Sequence, residues 1–173
     1  PHQPRVRDWM ADFRESPEAS PLNTPSGKLE LHSASIAAYE YDDCPGHATW
    51  IEPTEWAETD RTKFPLHLLS PQPKRRLHSQ YDQSTYSQAG KIRGREVLTM
   101  HPDAAAARQL TAGDLVRVFN ERGACLAGLA LDEKQLRDVV VLPTGAWFKP
   151  CAKTGIEQNG NPNVLTRDKG TSR

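Results

Sequence analysis

Residues 115–131 read LVRVFNERGACLAGLAL and carry the clearest secondary-structure signal in the chain. Leu115–Phe119 has the pattern of a half-buried strand, and residues 120–123 have the composition of a tight turn. The apolar run Ala124–Leu131 follows at once. This segment therefore predicts a β-hairpin.

Shorter signals lie on both sides of the hairpin. Val97–Met100 and residues 139–142 and 64–69 are apolar runs of strand length. Residues 101–108, which read HPDAAAAR, predict a short helix because Pro and Asp favour the first helical turn. Many short strands with few helices indicate a mainly β fold with short helices, closed as a barrel.

Residues 1–63 have a different character. They contain three Trp and two Tyr but little periodicity, so we expect no independent core there. A short helix is predicted to begin near Trp9, and residues 28–33 are predicted to form a strand. We predict that residues 1–63 are an irregular N-terminal arm that docks on another protein surface, and that residues 64–173 form the barrel.

The overall composition excludes several classes of protein. The chain has 22 Lys+Arg and 22 Asp+Glu, so no global field recruits nucleic acid or an acidic membrane. Its 3 Cys are far apart and form no C-x-x-C pair, which argues against a disulfide framework or structural zinc. No apolar stretch approaches the ~20 residues of a membrane span. With no initiator Met and no leader, we expect a soluble fragment of a longer polypeptide.

A cluster of hydrogen-bond donors follows the strand predicted at residues 64–69. Residues 70–80, which we call the basic loop, read SPQPKRRLHSQ and combine three cations with a His, two Ser and two Gln. This set suits a polyanionic ligand with amide-like edges, and so a nucleotide-type cofactor better than a metal or a bare phosphate. The alternative is a solvated basic loop after an edge strand.

A second polar cluster lies near the end of the chain. Residues 159–168 read NGNPNVLTRD and are dense in side-chain amides. Turn chemistry alone explains Asn-Gly and Asn-Pro. Together with the basic loop, however, this segment predicts a clamp around a planar heterocycle.

Five blocks, in family order, resemble the C-terminal region of the molybdopterin oxidoreductases of the dimethyl sulfoxide reductase family. The likeness is strongest to the branch that reduces S-oxides and N-oxides, which includes biotin sulfoxide and trimethylamine N-oxide reductases. The blocks are TPSGKLE at 24–30, YDDCPGH at 41–47, LLSPQPKRRLHSQ at 68–80, GDLV with NERG within 113–123, and GNPNVLTRD with GTS within 160–172. The resemblance implies a double-psi β-barrel, a fold shared with aspartate decarboxylase.

The same resemblance implies a bis(molybdopterin guanine dinucleotide) cofactor, with one dinucleotide held mainly by this domain. Arg76 and Ser70 would then favour phosphate oxygens, and Asp168 would accept from a guanidine-like edge. Asn120 and Trp147 are further candidates for the same site. Each has an alternative role, Asn120 as a hairpin residue and Trp147 as a core residue. The predicted cofactor-binding residues are Ser70, Gln72, Arg76, His78, Gln80, Asn120, Asn161, Asn163 and Asp168.

The activity that the resemblance implies is reduction of an S-oxide or N-oxide, such as biotin sulfoxide, dimethyl sulfoxide or trimethylamine N-oxide, by oxygen-atom transfer. In this family the molybdenum ligand, usually a Ser, lies in the N-terminal part, to which no block here corresponds. We therefore expect no catalytic residue or metal ligand in this chain, and no turnover by it alone. The implied partners are the remaining domains of the parent polypeptide and an electron-donor protein. The implied compartment is cytoplasmic or periplasmic, and the cysteine usage favours the cytoplasm.

Two other functions compete with this interpretation. A free-standing β-barrel module could bind peptide or nucleic acid through residues 74–76, but the neutral charge and the distant aromatic residues count against nucleic acid. An independent enzyme on the same barrel is the other. The chain has no Gly-Ser bond at which a pyruvoyl decarboxylase could self-cleave, and the adjacency of His78 and Ser79 supplies no triad geometry.

Overall fold

The computed structural model describes residues 8–55 and 61–170. Its helices are α1 (Ala11–Glu15), α2 (Ala34–Ala37), α3 (Thr85–Gln88) and α4 (Pro102–Ala106), with a 3₁₀ helix at Pro162–Leu165. Its strands are β1 (His67–Leu69), β2 (Val97–Met100), β3 (Leu115–Phe119), β4 (Ala124–Leu131) and β5 (Val139–Val141). The prediction of a mainly β fold with short helices is confirmed.

The hairpin forms as the sequence predicts. Strands β3 and β4 are antiparallel, with Leu115 opposite Gly128 and Phe119 opposite Ala124. The turn closes where the Asn120 N–H donates to the Gly123 carbonyl at 3.1 Å. Local pattern and turn chemistry are therefore sufficient to specify this element.

The strands form one mixed sheet in the order β1-β5-β2-β4-β3. Strand β1 is parallel to β5, and β2 is parallel to β4 but antiparallel to β5. Because Leu69 lies opposite Val141, the segments that follow β1 and β5 leave the sheet at the same end. The basic loop therefore lies beside residues 142–148. The double-psi connectivity of the barrel stays a prediction.

The core is built from alternate residues of the central strands and from short helices packed on them. Its buried members include Leu98, Met100, Ala104, Ala105, Val116, Cys125, Ala127, Leu129, Val140, Leu142 and Leu165. Helix α4 begins as predicted, with His101 Nδ1 accepting from the Asp103 N–H at 3.0 Å. It ends at Ala106, before the predicted Arg108, and Gln109 then adopts a left-handed φ of 57°.

The chain divides into two compact units, and the five strands of the described residues all lie in Pro53–Asp168. The other unit includes residues 8–52, among which only Gly46 is buried. The predicted strand at residues 28–33 is wrong: among the described residues this segment forms a single bridge, between His32 and His47, so it has no partner strand. The arm boundary at residue 63 and its docking stay predictions.

A helix begins at Ala11, close to the position predicted near Trp9. Among residues 8–55 and 61–170, no helix combines the length and apolarity needed to cross a membrane.

Candidate cofactor-binding site

A cavity of about 740 Å³ opens where the segments after β1 and β5 meet the 3₁₀ helix. Its lining residues are Gln72, His78, Ser79, Thr144, Gly145, Ala146, Trp147, Phe148, Asn161 and Asn163. Ligand cavities in proteins typically occupy about 300–1,000 Å³, so this one has room for a heterocyclic ligand. Four predicted site residues, Gln72, His78, Asn161 and Asn163, meet here.

The basic loop supplies one wall. The Gln72 amide nitrogen lies 3.1 Å from His78 Nδ1, so these two predicted residues form a hydrogen-bonded pair. His78 has φ 49°, a left-handed conformation that non-glycine residues rarely adopt. The loop is therefore held in a shape that its own backbone preferences do not favour.

The segment after β5 supplies the second wall and is joined to the basic loop. The Thr144 N–H donates to the Pro71 carbonyl at 3.0 Å, and Trp147 Nε1 donates to the Ser79 carbonyl at 2.8 Å. Gly145 has φ 87°, and a β-carbon there would lie 2.0 Å from the His78 carbonyl oxygen. Only glycine allows the two walls to approach this closely.

Two aromatic side chains form part of the second wall. Trp147 is 52% exposed and Phe148 is 63% exposed, although both are large and apolar. The alternative that Trp147 is a core residue is therefore wrong. Exposed rings on a cavity wall offer flat faces on which a planar heterocycle can stack.

The third wall is the tail segment around the 3₁₀ helix. Asn161 is buried: its Nδ2 donates to the Ala146 carbonyl at 2.8 Å and its Oδ1 accepts from the Asn163 N–H at 3.0 Å. Asn161 thus caps the 3₁₀ helix and joins it to the second wall. Asn163 is exposed on the cavity wall.

A buried carboxylate beneath the tail fixes its backbone. Glu157 is fully buried, and its two oxygens accept from the backbone N–H groups of Lys149, Asn159, Gly160 and Asn161 at 2.7–3.2 Å. Burial, and then the charge of Glu157, raise the pKa of the Cys125 thiol to about 12. Sequence reasoning missed Glu157. The available signal was an acidic residue just before an Asn-Gly turn, where backbone N–H groups converge.

Arg76 belongs to the basic loop, but its side chain lies beneath the loop and is only 2% exposed. Its Nε donates to the His78 carbonyl at 3.0 Å, and its Nη2 donates to the Thr144 carbonyl at 2.9 Å. Nη2 also pairs with Glu96 Oε2 at 2.6 Å. Arg76 thus contacts both loop walls from beneath. Its predicted phosphate contact stays a prediction.

Four other predicted residues lie outside the cavity lining: Ser70, Gln80, Asn120 and Asp168. Asn120 belongs to the β3–β4 turn, where its Oδ1 accepts from the Arg122 and Gly123 N–H groups. Its Nδ2 donates to the Leu165 carbonyl at 2.7 Å, which joins the hairpin to the 3₁₀ helix. Ser70 is half-buried, and Gln80 and Asp168 are exposed. Their roles as ligands stay predictions.

The family model described as "Molydopterin dinucleotide binding domain" matches residues 66–173. The chain belongs to the molybdopterin dinucleotide-binding domain family. All nine predicted site residues and the whole cavity lie within the part of this molybdopterin dinucleotide-binding domain that the family matches.

Curated relatives of this domain are much longer enzymes. Biotin sulfoxide reductase of Cereibacter sphaeroides is 48% identical over 97% of this chain and 22% of its own length. Trimethylamine-N-oxide reductase of Haemophilus influenzae is 42% identical over 97% of this chain and 21% of its own length. The chain thus spans about a fifth of the length of the relatives it matches.

A solved structure supports the fold independently. Acetylene hydratase from Pelobacter acetylenicus superposes on 89% of this chain, and on 22% of its own, with a TM-score of 0.69 and 24% identity. At this identity the likeness concerns the fold.

Proposed function

We propose that this chain is the C-terminal domain that holds one dinucleotide of a bis(molybdopterin guanine dinucleotide) cofactor in an S-oxide or N-oxide reductase. The observation that carries the proposal is the cavity, where Gln72, His78, Asn161 and Asn163 share one lining inside the region that the family matches. The names of the relatives suggest biotin sulfoxide, trimethylamine N-oxide or dimethyl sulfoxide as the substrate.

The donors and acceptors of the cavity fit a heterocycle of this kind. Pterin and guanine edges alternate N–H donors with carbonyl or ring-nitrogen acceptors, and Asn and Gln amides offer both functions. Asn161 is held by two hydrogen bonds, so it would present its remaining donor and acceptor capacity in a fixed direction. Thr144 Oγ1 is buried on the wall without a hydrogen-bond partner among the described residues. The site is thus polar where a heterocycle edge would lie and aromatic where its face would lie.

The lining also indicates which end of the dinucleotide belongs here. Its ten residues include no Lys or Arg, whereas pyrophosphate is bound by cations or converging N–H groups. We therefore assign the cavity to a heterocycle and place the pyrophosphate outside it. Lys74 and Arg75 are the exposed cations of the adjoining basic loop.

In the whole enzyme, the bound molybdenum cofactor would supply the oxygen-atom transfer, and the residues described here would bind and orient it. The partners we propose are the rest of the parent polypeptide and an electron-donor protein. The exposed Trp9, Leu31 and Trp50 in residues 8–52 support docking of this segment on further protein.

The geometry weakens the competing proposal of a nucleic-acid module. Residues 74–76 would be its contact patch, but the Arg76 side chain is buried. The Arg75 guanidinium stacks over the Tyr86 ring at 4.7 Å and donates to the Tyr86 carbonyl at 2.9 Å. The three cations therefore do not present one common surface.

Isothermal titration calorimetry of the 173-residue chain tests the proposal, with guanosine and GDP as probes and adenosine as the base control. We expect the guanine probes to bind with a dissociation constant near or below about 1 mM, equivalent to about 4 kcal/mol. Asn163→Ala should weaken binding about fivefold, the effect of one hydrogen bond. Asn23→Ala, at an exposed asparagine of the arm, is the matched control and should change nothing.

Absence of binding by the wild-type chain at millimolar guanosine would contradict the assignment of the cavity. Equal affinity for adenosine would also contradict it, because adenine lacks the amide-type edge of guanine.

A further inference from the structure

Four charged side chains are buried together beneath the cavity: Arg76, Asp82, Lys91 and Glu96. Their exposed fractions are 2%, 0%, 2% and 10%, and the two cations balance the two carboxylates. Lys91 Nζ lies 2.7 Å from Asp82 Oδ1, and Arg76 Nε lies 3.4 Å from the same oxygen. We call these four residues the ion cluster.

Arg76 connects the ion cluster to two walls of the cavity. Its guanidinium donates to the His78 carbonyl of the basic loop and to the Thr144 carbonyl of the segment after β5. The His78 carbonyl is thereby held between Arg76 and the backbone of Gly145. This contact explains how the left-handed conformation of His78 is maintained.

Asp82 and Glu96 extend the connection, Asp82 through its carboxylate and Glu96 through its backbone N–H and Cβ. Asp82 Oδ2 accepts from the Trp147 N–H at 3.5 Å, which ties it to the aromatic wall. The Glu96 N–H donates to the Asn159 carbonyl at 2.9 Å, and a β-carbon on Gly160 would lie 2.8 Å from Glu96 Cβ. All three walls therefore contact residues of the ion cluster, two of them through its charged side chains and the tail through the backbone of Glu96.

We propose that the ion cluster is a positioning device that sets the spacing of the cavity walls, and that Arg76 acts on a ligand through the His78 and Thr144 carbonyls. Burying charge carries a desolvation cost, so such a cluster is weak evidence for added stability and stronger evidence for a required geometry. The effect on ligand affinity rests on the proposed function. The effect on how firmly the cavity walls are held in place does not.

Two variants of similar size and shape test the proposal. The first keeps all four buried charges, and the second removes one of them. Arg76→Lys keeps the cation but cannot reach both carbonyls and Glu96 together, and Glu96→Gln keeps the shape but removes the ionic partner. Arg137→Lys, at an arginine whose side chain is 75% exposed and lies outside the cavity lining, is the matched control.

The first measurement is amide hydrogen exchange in the ligand-free chain. In both variants the wall amides of Thr144 and Trp147 should exchange at least about tenfold faster, while the core amides of Ala105 and Leu129 keep their rates. Unchanged wall amides would overturn the proposal. So would an equal increase at wall and core, since that marks general destabilisation.

The second measurement is the affinity of folded variants for guanosine and GDP. A positioning role predicts that each variant weakens both probes by the same factor, about tenfold, and that the double variant is no worse than the poorer single one. Loss confined to GDP would overturn the proposal and make Arg76 a direct phosphate ligand. If the wild-type chain binds neither probe, the proposed function fails, and the exchange rates still decide whether the cluster orders the walls.

Discussion

Replacing Glu157 by glutamine is the sharpest test of how the tail wall is built. Each carboxylate oxygen accepts two backbone N–H bonds: Oε1 from Lys149 and Asn159, and Oε2 from Gly160 and Asn161. The glutamine amide has nearly the same shape. Its NH₂ group, however, is itself a hydrogen-bond donor. The two backbone N–H groups that face it therefore have no acceptor.

The size of the effect follows from those bonds. Two buried N–H groups lose their acceptor, and each such group costs about 1–3 kcal/mol. The free energy of unfolding should therefore fall by about 2–6 kcal/mol, a large share of the roughly 5–15 kcal/mol that stabilises a typical domain. Gly160 and Asn161 adjoin the cavity, so guanosine affinity should fall as well.

Urea unfolding followed by circular dichroism at pH 7 measures the change. Glu133→Gln, at an exposed glutamate, is the matched control and should stay within about 0.5 kcal/mol of the wild type. If Glu157→Gln also stays within about 1 kcal/mol, the four N–H bonds do not hold the tail and this reasoning is refuted.

Three further predictions concern Gly145 and the thiols. Gly155→Ala should lower the free energy of unfolding by about 1–2 kcal/mol, because only the positive φ of Gly155 disfavours a side chain there. Gly145→Ala should lower it distinctly more, because a carbonyl oxygen occupies the space of the added methyl. Equal losses in urea unfolding would refute the close packing of the walls. Burial, and then a neighbouring carboxylate, raise the pKa of Cys125 to about 12 in the folded chain. In the unfolded chain the pKa of a Cys thiol is about 8.5. The stabilising contribution of the protonated thiol is therefore complete below pH of about 8.5 and is lost as the pH rises towards 12. Stability should thus fall by about 1.4 kcal/mol per pH unit in that window relative to Cys125→Ala, and parallel pH curves would be incompatible with this. Hydrogen bonds, the largest from a neighbouring threonine hydroxyl, lower the pKa of Cys151, so iodoacetamide should label Cys151 before Cys125 in the folded chain; the reverse order by mass spectrometry would contradict the burial.

The sequence predicts the sheet well where local signals are strong. The hairpin around residues 120–123 and helix α4 follow from turn and capping residues that act on their own neighbours. The strand expected at residues 28–33 has equal local support, yet among the described residues it has no strand to pair with. Strand pairing depends on a partner distant in sequence, and periodicity does not show whether that partner exists.

The site residues likewise divide into those that the sequence predicts and those that depend on partners distant in sequence. The composition of the basic loop and of the tail predicts one clamp, and the family resemblance singles out Gln72, His78, Asn161 and Asn163 within it. The segments after β1 and β5 meet because these strands end side by side, and Asn161 joins the tail to them through the Ala146 carbonyl. The inward direction of Arg76 was not predictable from its sequence neighbourhood.

A Lys-Arg-Arg run does not show which cation turns inward. That choice is made by Asp82 and Glu96, which lie 6 and 20 residues further along the chain. Glu157 has a local signal in the Asn-Gly turn that follows it, but the Lys149 N–H comes from eight residues earlier and joins the other donors only in the fold.

The central claim is that the cavity receives a guanine-type or pterin-type heterocycle. The most direct test is a ¹H–¹⁵N NMR titration of the 173-residue chain with guanosine. The account predicts saturable shifts of the Gly145, Asn161 and Asn163 amides, with the core amides of Ala105 and Leu129 unaffected. Shifts centred on the core amides, or no saturable shift at any amide, would contradict it.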